Sequence, residues 1–318
     1  MEFLKKIKLN SISKDLLYSV AGLCLMNAAV QFLVNPYLQS KMGSERFGVM
    51  LSLISIVSIV AISLGTSFNY SRMIASSKKR DCNSDYFLFL IVASLLSIPV
   101  CVITLKYFGS FSALSLLGYS ALTVFSIFRY YGDVNFRLKI DFKGFFLFYF
   151  AMALGYIVGV ALFRFSKSWI ITYILAELAA VAYLLIKGDV LKCNPFKPSP
   201  YFKSNLNSSL TLIATNLLTS VIANIDRPLI LKFVDANSVT VFYIATLIGK
   251  IIALLTAPLN GVIISYLAKY DGKLSRKTFT NICAVSLIGV SLLSLICIFV
   301  SVPAFAENFY ITNYYETL

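Results

Sequence analysis

The segment KIKLNSISKDLLYSVAGLCLMNAAVQFLVNPYLQSKMGSERFGVM, residues 6–50, holds the features that decide how this chain folds. Basic residues come first, an apolar run follows, and a proline-marked polar break ends it. Roughly 17 to 25 apolar residues cross a hydrocarbon core of about 30 Å as a helix. Residues 16–36 form such a run, and the pattern recurs at 47–68, 86–105, 111–128, 145–163, 169–186, 206–225, 239–266 and 280–303. The expected fold class is therefore all-α, a polytopic membrane protein of about nine transmembrane helices. Composition points the same way: 58% of the 318 residues are hydrophobic and 13% charged, with mean hydropathy +0.82, where soluble domains carry about a quarter charged residues.

The basic residues alternate between gaps. Of 28 Lys and Arg, 20 lie before the first run or after the second, fourth, sixth and eighth, from Lys5, Lys6, Lys8 and Lys14 through to Lys269, Lys273, Arg276 and Lys277. The other gaps hold only Lys41, Arg46, Lys106, Arg164, Lys167, Arg227 and Lys232, and Lys250 stands alone inside a run. Excess basic charge marks the cytoplasmic side of short loops, so the N-terminus is expected inside. The same split assigns the net charge of +14 to topology and anionic headgroups rather than to nucleic acid, because no aromatic-interleaved basic module gathers it on one surface. Six scattered cysteines without CxxC spacing argue against a disulfide framework or a zinc site. The first 15 residues are basic and polar and run straight into a full-length span, so no cleaved signal is expected.

The largest polar break is KGDVLKCNPFKPSPYFKSN, residues 187–205, where Pro195, Pro198 and Pro200 stop helix propagation. It divides the chain into an N-terminal lobe of six helices (1–190), a cytoplasmic linker (191–205) and a C-terminal part of three helices (206–318). A shift of 192 residues lays NPYLQSKMGSERFGVM (35–50) on RPLILKFVDANSVTVF (227–242) without a gap, Pro36 meeting Pro228. A shift of six spans keeps both lobes in one orientation, which is the parallel-repeat plan of transporters with substrate sites at the lobe interface. Six plus six spans are implied, so the second lobe is expected to be incomplete in this chain.

Absences narrow the chemistry. There is no histidine, hence no imidazole base, catalytic triad or imidazole proton relay. Gly249-Lys250 lacks the first glycine of a phosphate-binding loop, Ile244 standing in its place. No enzyme activity and no cofactor are expected. What remains is polar side chains inside spans, which are costly there and face a bundle interior. Asn27, Gln31 and Asn35 recur every four residues and share one helical face, as do Asn216, Ser220 and Asn224; either stripe binds sugar hydroxyls or ties neighbouring helices. Asp226 and Arg227 close the seventh span, and Arg227 takes the position of Asn35 under the repeat. Lys250 lies about eleven residues into the eighth span and is read as a cavity cation for phosphate. Glu177 is the one carboxylate well inside a span, either an ion-coupling group or the partner of a buried cation such as Lys250. Arg129 reads as a topology signal at the end of the fourth span.

The basic N-terminus, LxxKMGSERFGVM after span one, and IDRPLILKFVDANSVTVFYIATLIGKI (225–251) ahead of a proline in span eight together resemble the Wzx-type polysaccharide flippases of the multidrug/oligosaccharidyl-lipid/polysaccharide exporter superfamily. The resemblance implies a bacterial inner-membrane protein that moves an undecaprenyl-pyrophosphate-linked O-antigen or capsule repeat unit to the periplasmic leaflet. Its partners would be that lipid-linked oligosaccharide, membrane lipids, and a polysaccharide polymerase and chain-length regulator. Lys250, Arg227 and Asp226 would meet the pyrophosphate or an acidic sugar, and Asn27, Gln31, Asn35 and Asn224 the sugars. The rival readings are a small-molecule or drug exporter of the same superfamily, a membrane oligosaccharide polymerase, and a non-functional truncated flippase.

Overall fold

A backbone in hydrocarbon must satisfy its own N–H and C=O groups, which a helix does within one segment. The computed structural model describes residues 9–246, apart from 81, 109, 189–193 and 195, together with scattered residues between 280 and 292. Among the described residues, seven helices are long and apolar enough to cross a membrane: α1 Lys14–Met42, α2 Ser44–Ser77, α3 Asn83–Tyr107, α4 Ala113–Lys139, α5 Phe142–Ser166, α6 Trp169–Lys187 and α7 Phe202–Asn224. Two shorter helices follow, α8 Asp226–Phe233 and α9 Ala236–Ala245. Among the described residues the chain is an all-α, multi-pass membrane protein with no strand. Most of the expected eighth and ninth spans, Lys250 included, lies outside the described residues.

The bundle buries an apolar core threaded by polar side chains and turns apolar side chains outward as well. The central helix is α2, the most buried of the seven. Its inner face carries Ser52, Ser55, Ser63, Ser67 and Ser71, all buried, and three of these reach α7. Ser63 shares a 2.7 Å hydrogen bond with Ser220, the Asn216 amide donates to Ser67 at 2.8 Å, and Ser209 donates to Ser71 at 3.0 Å. Leu95, Leu96, Ile103, Leu114 and Leu117 face outward instead. With no hydrophobic drive between helices already in lipid, such polar contacts and close packing hold them together. The close packing is seen where α5 meets α6: a Cβ on Gly155 would come 2.6 Å from the Ala176 Cα, and one on Gly159 equally near the Thr172 Cα. Only glycines four residues apart admit that approach.

Of the helices that outrun their predicted spans, α2 and α4 do so furthest. α2 continues past residue 68 because its polar end is satisfied within the bundle: Asn69 donates to the Asp133 carboxylate, and Arg72 donates to Asn83 Oδ1 at 2.8 Å and to the Tyr131 hydroxyl at 3.0 Å. α4 continues past residue 128, bent at Asp133, where Arg137 forms a 2.9 Å ion pair with the Asp133 carboxylate. Arg72 and Arg129, counted in the sequence as loop charges, are thus buried side chains of the helix bundle, each 8% exposed.

The connection from α6 to α7 is fastened to the start of α3. Asp85, wholly buried, accepts from the Ser199 N–H at 2.8 Å, the Ser199 hydroxyl at 2.6 Å and the Asn205 amide at 2.9 Å. Ser84 donates to the carbonyls of Asn194 and Lys197.

The 192-residue shift also has a local counterpart. An eight-residue helical segment, Asn35–Met42, precedes a break at Gly43 and the helix beginning at Ser44. The eight residues of α8, Asp226–Phe233, precede a break at Val234 and Asp235 and the helix beginning at Ala236. Gly43 turns with φ 79°, a region open to glycine at little cost. The two halves pack directly there: Thr240 donates to the Ser44 carbonyl at 2.7 Å, and any side chain on Gly48 would overlap the Ala236 carbonyl.

Candidate functional site

An internal cavity of about 180 Å3 lies among α1, α2, α4, α5 and α6 and is capped by Arg227 of α8 and Tyr243 of α9. Two π-helical turns border it, Ala29–Val34 in α1 and Ile62–Thr66 in α2. Such turns widen a helix by one residue and recur at functional sites. The first of them contains Gln31 and feeds into Asn35, so it sets the angle at which both amides enter the cavity.

At the capped end, four side chains form one hydrogen-bonded chain. The Tyr173 hydroxyl donates to Asn35 Oδ1 at 2.9 Å, the Asn35 amide donates to the Tyr243 hydroxyl at 2.6 Å, and Tyr243 donates to Gln31 Oε1. The network joins α1 and α6 to α9. Arg227 stacks its guanidinium 5.3 Å from the Tyr243 ring centroid and donates from one terminal nitrogen to the Ser55 hydroxyl at 3.3 Å. Its Nε is buried without a hydrogen-bond partner, and no ion pair to Arg227 is formed among the described residues. Asp226 does not neutralise it side chain to side chain; its carboxylate accepts from the Arg227 backbone N–H at 2.9 Å.

The far wall carries the opposite arrangement. Glu177 accepts from Arg129 Nε at 2.7 Å and from the Ser126 hydroxyl at 2.9 Å, so each carboxylate oxygen is engaged. The Arg129 guanidinium also lies 3.9 Å from the Tyr130 ring centroid. A buried charge is tolerable when paired in this way. Arg129 and Glu177 cancel, whereas Arg227 has no ion-pair partner among the described residues.

Of the residues picked from sequence, Asn27, Gln31, Asn35, Glu177 and Arg227 line this one cavity. Asn27 donates to the Leu23 carbonyl of its own helix at 2.8 Å. Asn224 and Asp226 do not line it: Asn224 donates back to the Ser220 carbonyl at 3.0 Å, and its stripe, with Asn216 and Ser220, ties α7 to α2. Lys250 is outside the described residues. Sequence reasoning missed Tyr130, Tyr156, Tyr173 and Tyr243, which line the cavity. The signal for one was present, since Tyr173 and Glu177 stand four apart on α6. Among the described residues no group of three His, Cys, Asp or Glu comes together that would hold a metal ion.

A comparison with solved structures aligns this chain with a MATE transporter, crystallised in complex with MaD3S, at TM-score 0.56 and 16% identity. The chain has the fold of a MATE transporter. The alignment covers 81% of this chain and 66% of that one, so the chain spans just under two thirds of the MATE protein. No family model matches the sequence, and no curated protein matches it. The cavity sits among α1, α2, α4, α5 and α6 and is bordered by α8 and α9.

Proposed function

We propose that this chain moves an undecaprenyl-pyrophosphate-linked oligosaccharide, an O-antigen or capsule repeat unit, from the cytoplasmic to the periplasmic leaflet of a bacterial inner membrane, its N-terminus on the cytoplasmic side. The observation that carries this reading is the unpaired Arg227 guanidinium at the roof of an otherwise neutral cavity of amides and phenols. A fixed, partly buried cation attracts phosphate oxygens, and amides and phenols fit sugar hydroxyls. None of these groups is arranged to attack a bond, so the reading is transport and not catalysis. Rocking of the two proposed lobes would exchange the site between leaflets, as repeat-built transporters do around a central site. Glu177 is the proposed ion-coupling group, held by Arg129 and Ser126 on the cavity wall.

A second reading, export of a small molecule, draws support from the four tyrosines on the cavity wall and from the MATE fold. Complementation separates the two. The chain is expressed in a strain lacking its O-unit flippase, alongside an efflux-deficient strain challenged with cationic dyes. Surface polysaccharide restored by the wild type and lost in Arg227→Gln supports the flippase reading. Dye resistance without polysaccharide overturns it.

A further inference from the structure

Four of the seven basic residues that the sequence places on the non-cytoplasmic side converge in one pocket. Lys41 and Arg46, from the end of α1 and the start of α2, face Arg164 and Lys167, from the end of α5, around a pocket of about 420 Å3. Their floor is Tyr37 against Phe163, edge to face with ring centroids 6.1 Å apart. None of the four cations forms an ion pair among the described residues. Glu45, in the first turn of α2, is the nearby counter-charge in sequence, and it leaves a large positive excess. Lys167 also ends α5 with φ 52°, a left-handed conformation that glycine adopts at less cost, so the helix end carries a cation where packing alone favours none.

This pocket runs into an apolar groove of about 930 Å3 between α1 and α5, and the two share Tyr37, Lys41 and Arg164. Phe32, Leu33, Ile157 and Phe165 form the groove and are exposed, Phe165 by 85%, on the face that meets lipid. A polar-headed, long-chained molecule matches both parts. We propose that this is a second binding site, for a single-chain lipid diphosphate lying in the leaflet at this end of the bundle. Its headgroup occupies the four-cation pocket and its chain the α1–α5 groove. The positive excess matches a diphosphate better than the single charge of a phosphodiester headgroup, and a cleft between two helices receives one chain. Identifying the occupant as a diphosphate rests on the proposed function. The site itself shares no residue with the Arg227 cavity.

The one tryptophan, Trp169, lies two residues beyond Lys167 and reports on the site. Full-length chain in phosphatidylcholine nanodiscs is titrated with sugar-free undecaprenyl pyrophosphate, with phosphatidylglycerol and with inorganic pyrophosphate, following Trp169 fluorescence. The lipid diphosphate is expected to bind saturably, and the fourfold variant K41Q/R46Q/R164Q/K167Q, changed only at exposed side chains, to bind at least about tenfold more weakly. Ile157→Ser weakens the lipid and leaves inorganic pyrophosphate unchanged. Unaltered binding in the fourfold variant overturns the site. Equal affinity for inorganic pyrophosphate overturns the groove, and equal affinity for phosphatidylglycerol overturns the diphosphate assignment. Arg227→Gln is expected to keep this binding and lose transport; loss of both places the lipid in the cavity and ends the proposal. Binding as described by a chain that fails complementation refutes the transport reading alone.

Discussion

The Asn35 amide donates to the Tyr243 hydroxyl across 2.6 Å, although 208 residues of chain separate them. Asn35 sits beside the proline of α1 and Tyr243 on α9. The bond therefore ties α1 to α9 at the cavity, beside the cation that the proposed function relies on.

Tyr243→Phe removes the acceptor for Asn35 and the donor to Gln31 while preserving the ring beneath Arg227. Hydrogen bonds between membrane helices are worth about 0.6 kcal/mol each on average, more where a buried group is left unpaired. A loss of about 1 to 2 kcal/mol is expected, read as a lowered melting temperature of the detergent-purified protein. Tyr243→Ala, which also removes the ring, should cost more. Equal melting of wild type and Tyr243→Phe would show that α9 is held against α1 by other contacts.

Arg227→Gln keeps a hydrogen-bond donor to Ser55 and removes the charge. Transport is expected to fall at least about tenfold, equivalent to about 1.4 kcal/mol of lost attraction for phosphate, with membrane abundance unchanged. Arg227→Lys should retain part of the activity, because a compact ammonium keeps the charge but not the planar fork. Surface polysaccharide measured in complemented cells, normalised to protein level, decides it. Full transport by Arg227→Gln removes the central residue of the proposed site.

How much of this was legible in the sequence depends on what each residue needed from its surroundings. Asn27, Gln31 and Asn35 announced one face by their spacing alone, since four residues on a helix return close to the same direction. Arg129 did not announce itself. A basic residue at the edge of an apolar run looks like a loop charge until Glu177, 48 positions later, is seen to neutralise it, and the partner is what allows α4 to continue. Tyr173 and Tyr243 were hidden for another reason: an aromatic ring in an apolar run packs against core or lipid equally well, and only the neighbours of its hydroxyl distinguish a cavity wall. The Asn216, Ser220 and Asn224 stripe had the same spacing as the α1 stripe, yet Ser63 and Ser67 happen to face it and turn it into a helix seam.

The Arg129–Glu177 pair makes a sharper test, because removing one partner leaves the other as an uncompensated buried charge. Glu177→Leu or Arg129→Met alone is expected to cost about 3 to 5 kcal/mol, whereas the double variant Arg129→Met/Glu177→Leu should recover most of that stability. Thermal melting of the four proteins completes the cycle. If Glu177 also couples an ion to transport, the stable double variant will still fail in complementation. Wild-type transport by that variant would assign the pair to structure alone.

Asp85 offers the last test, at the opposite end of the bundle from Arg227. Its buried carboxylate holds Ser199 and Asn205 with three hydrogen bonds, and bonds to a charged acceptor are worth about 1.5 to 3 kcal/mol each. Asp85→Ala should free residues 194–205 from α3 while α3 itself stays embedded in the bundle. Because about 1.4 kcal/mol corresponds to a factor of ten in an opening equilibrium, limited proteolysis within that stretch is expected to speed up by tenfold or more. Cleavage of loops elsewhere serves as the internal control. An unchanged cleavage rate would mean that the Ser84 contacts to the Asn194 and Lys197 carbonyls are enough to hold the linker by themselves. The combined Ser84→Ala/Asp85→Ala variant would then be the one to release it.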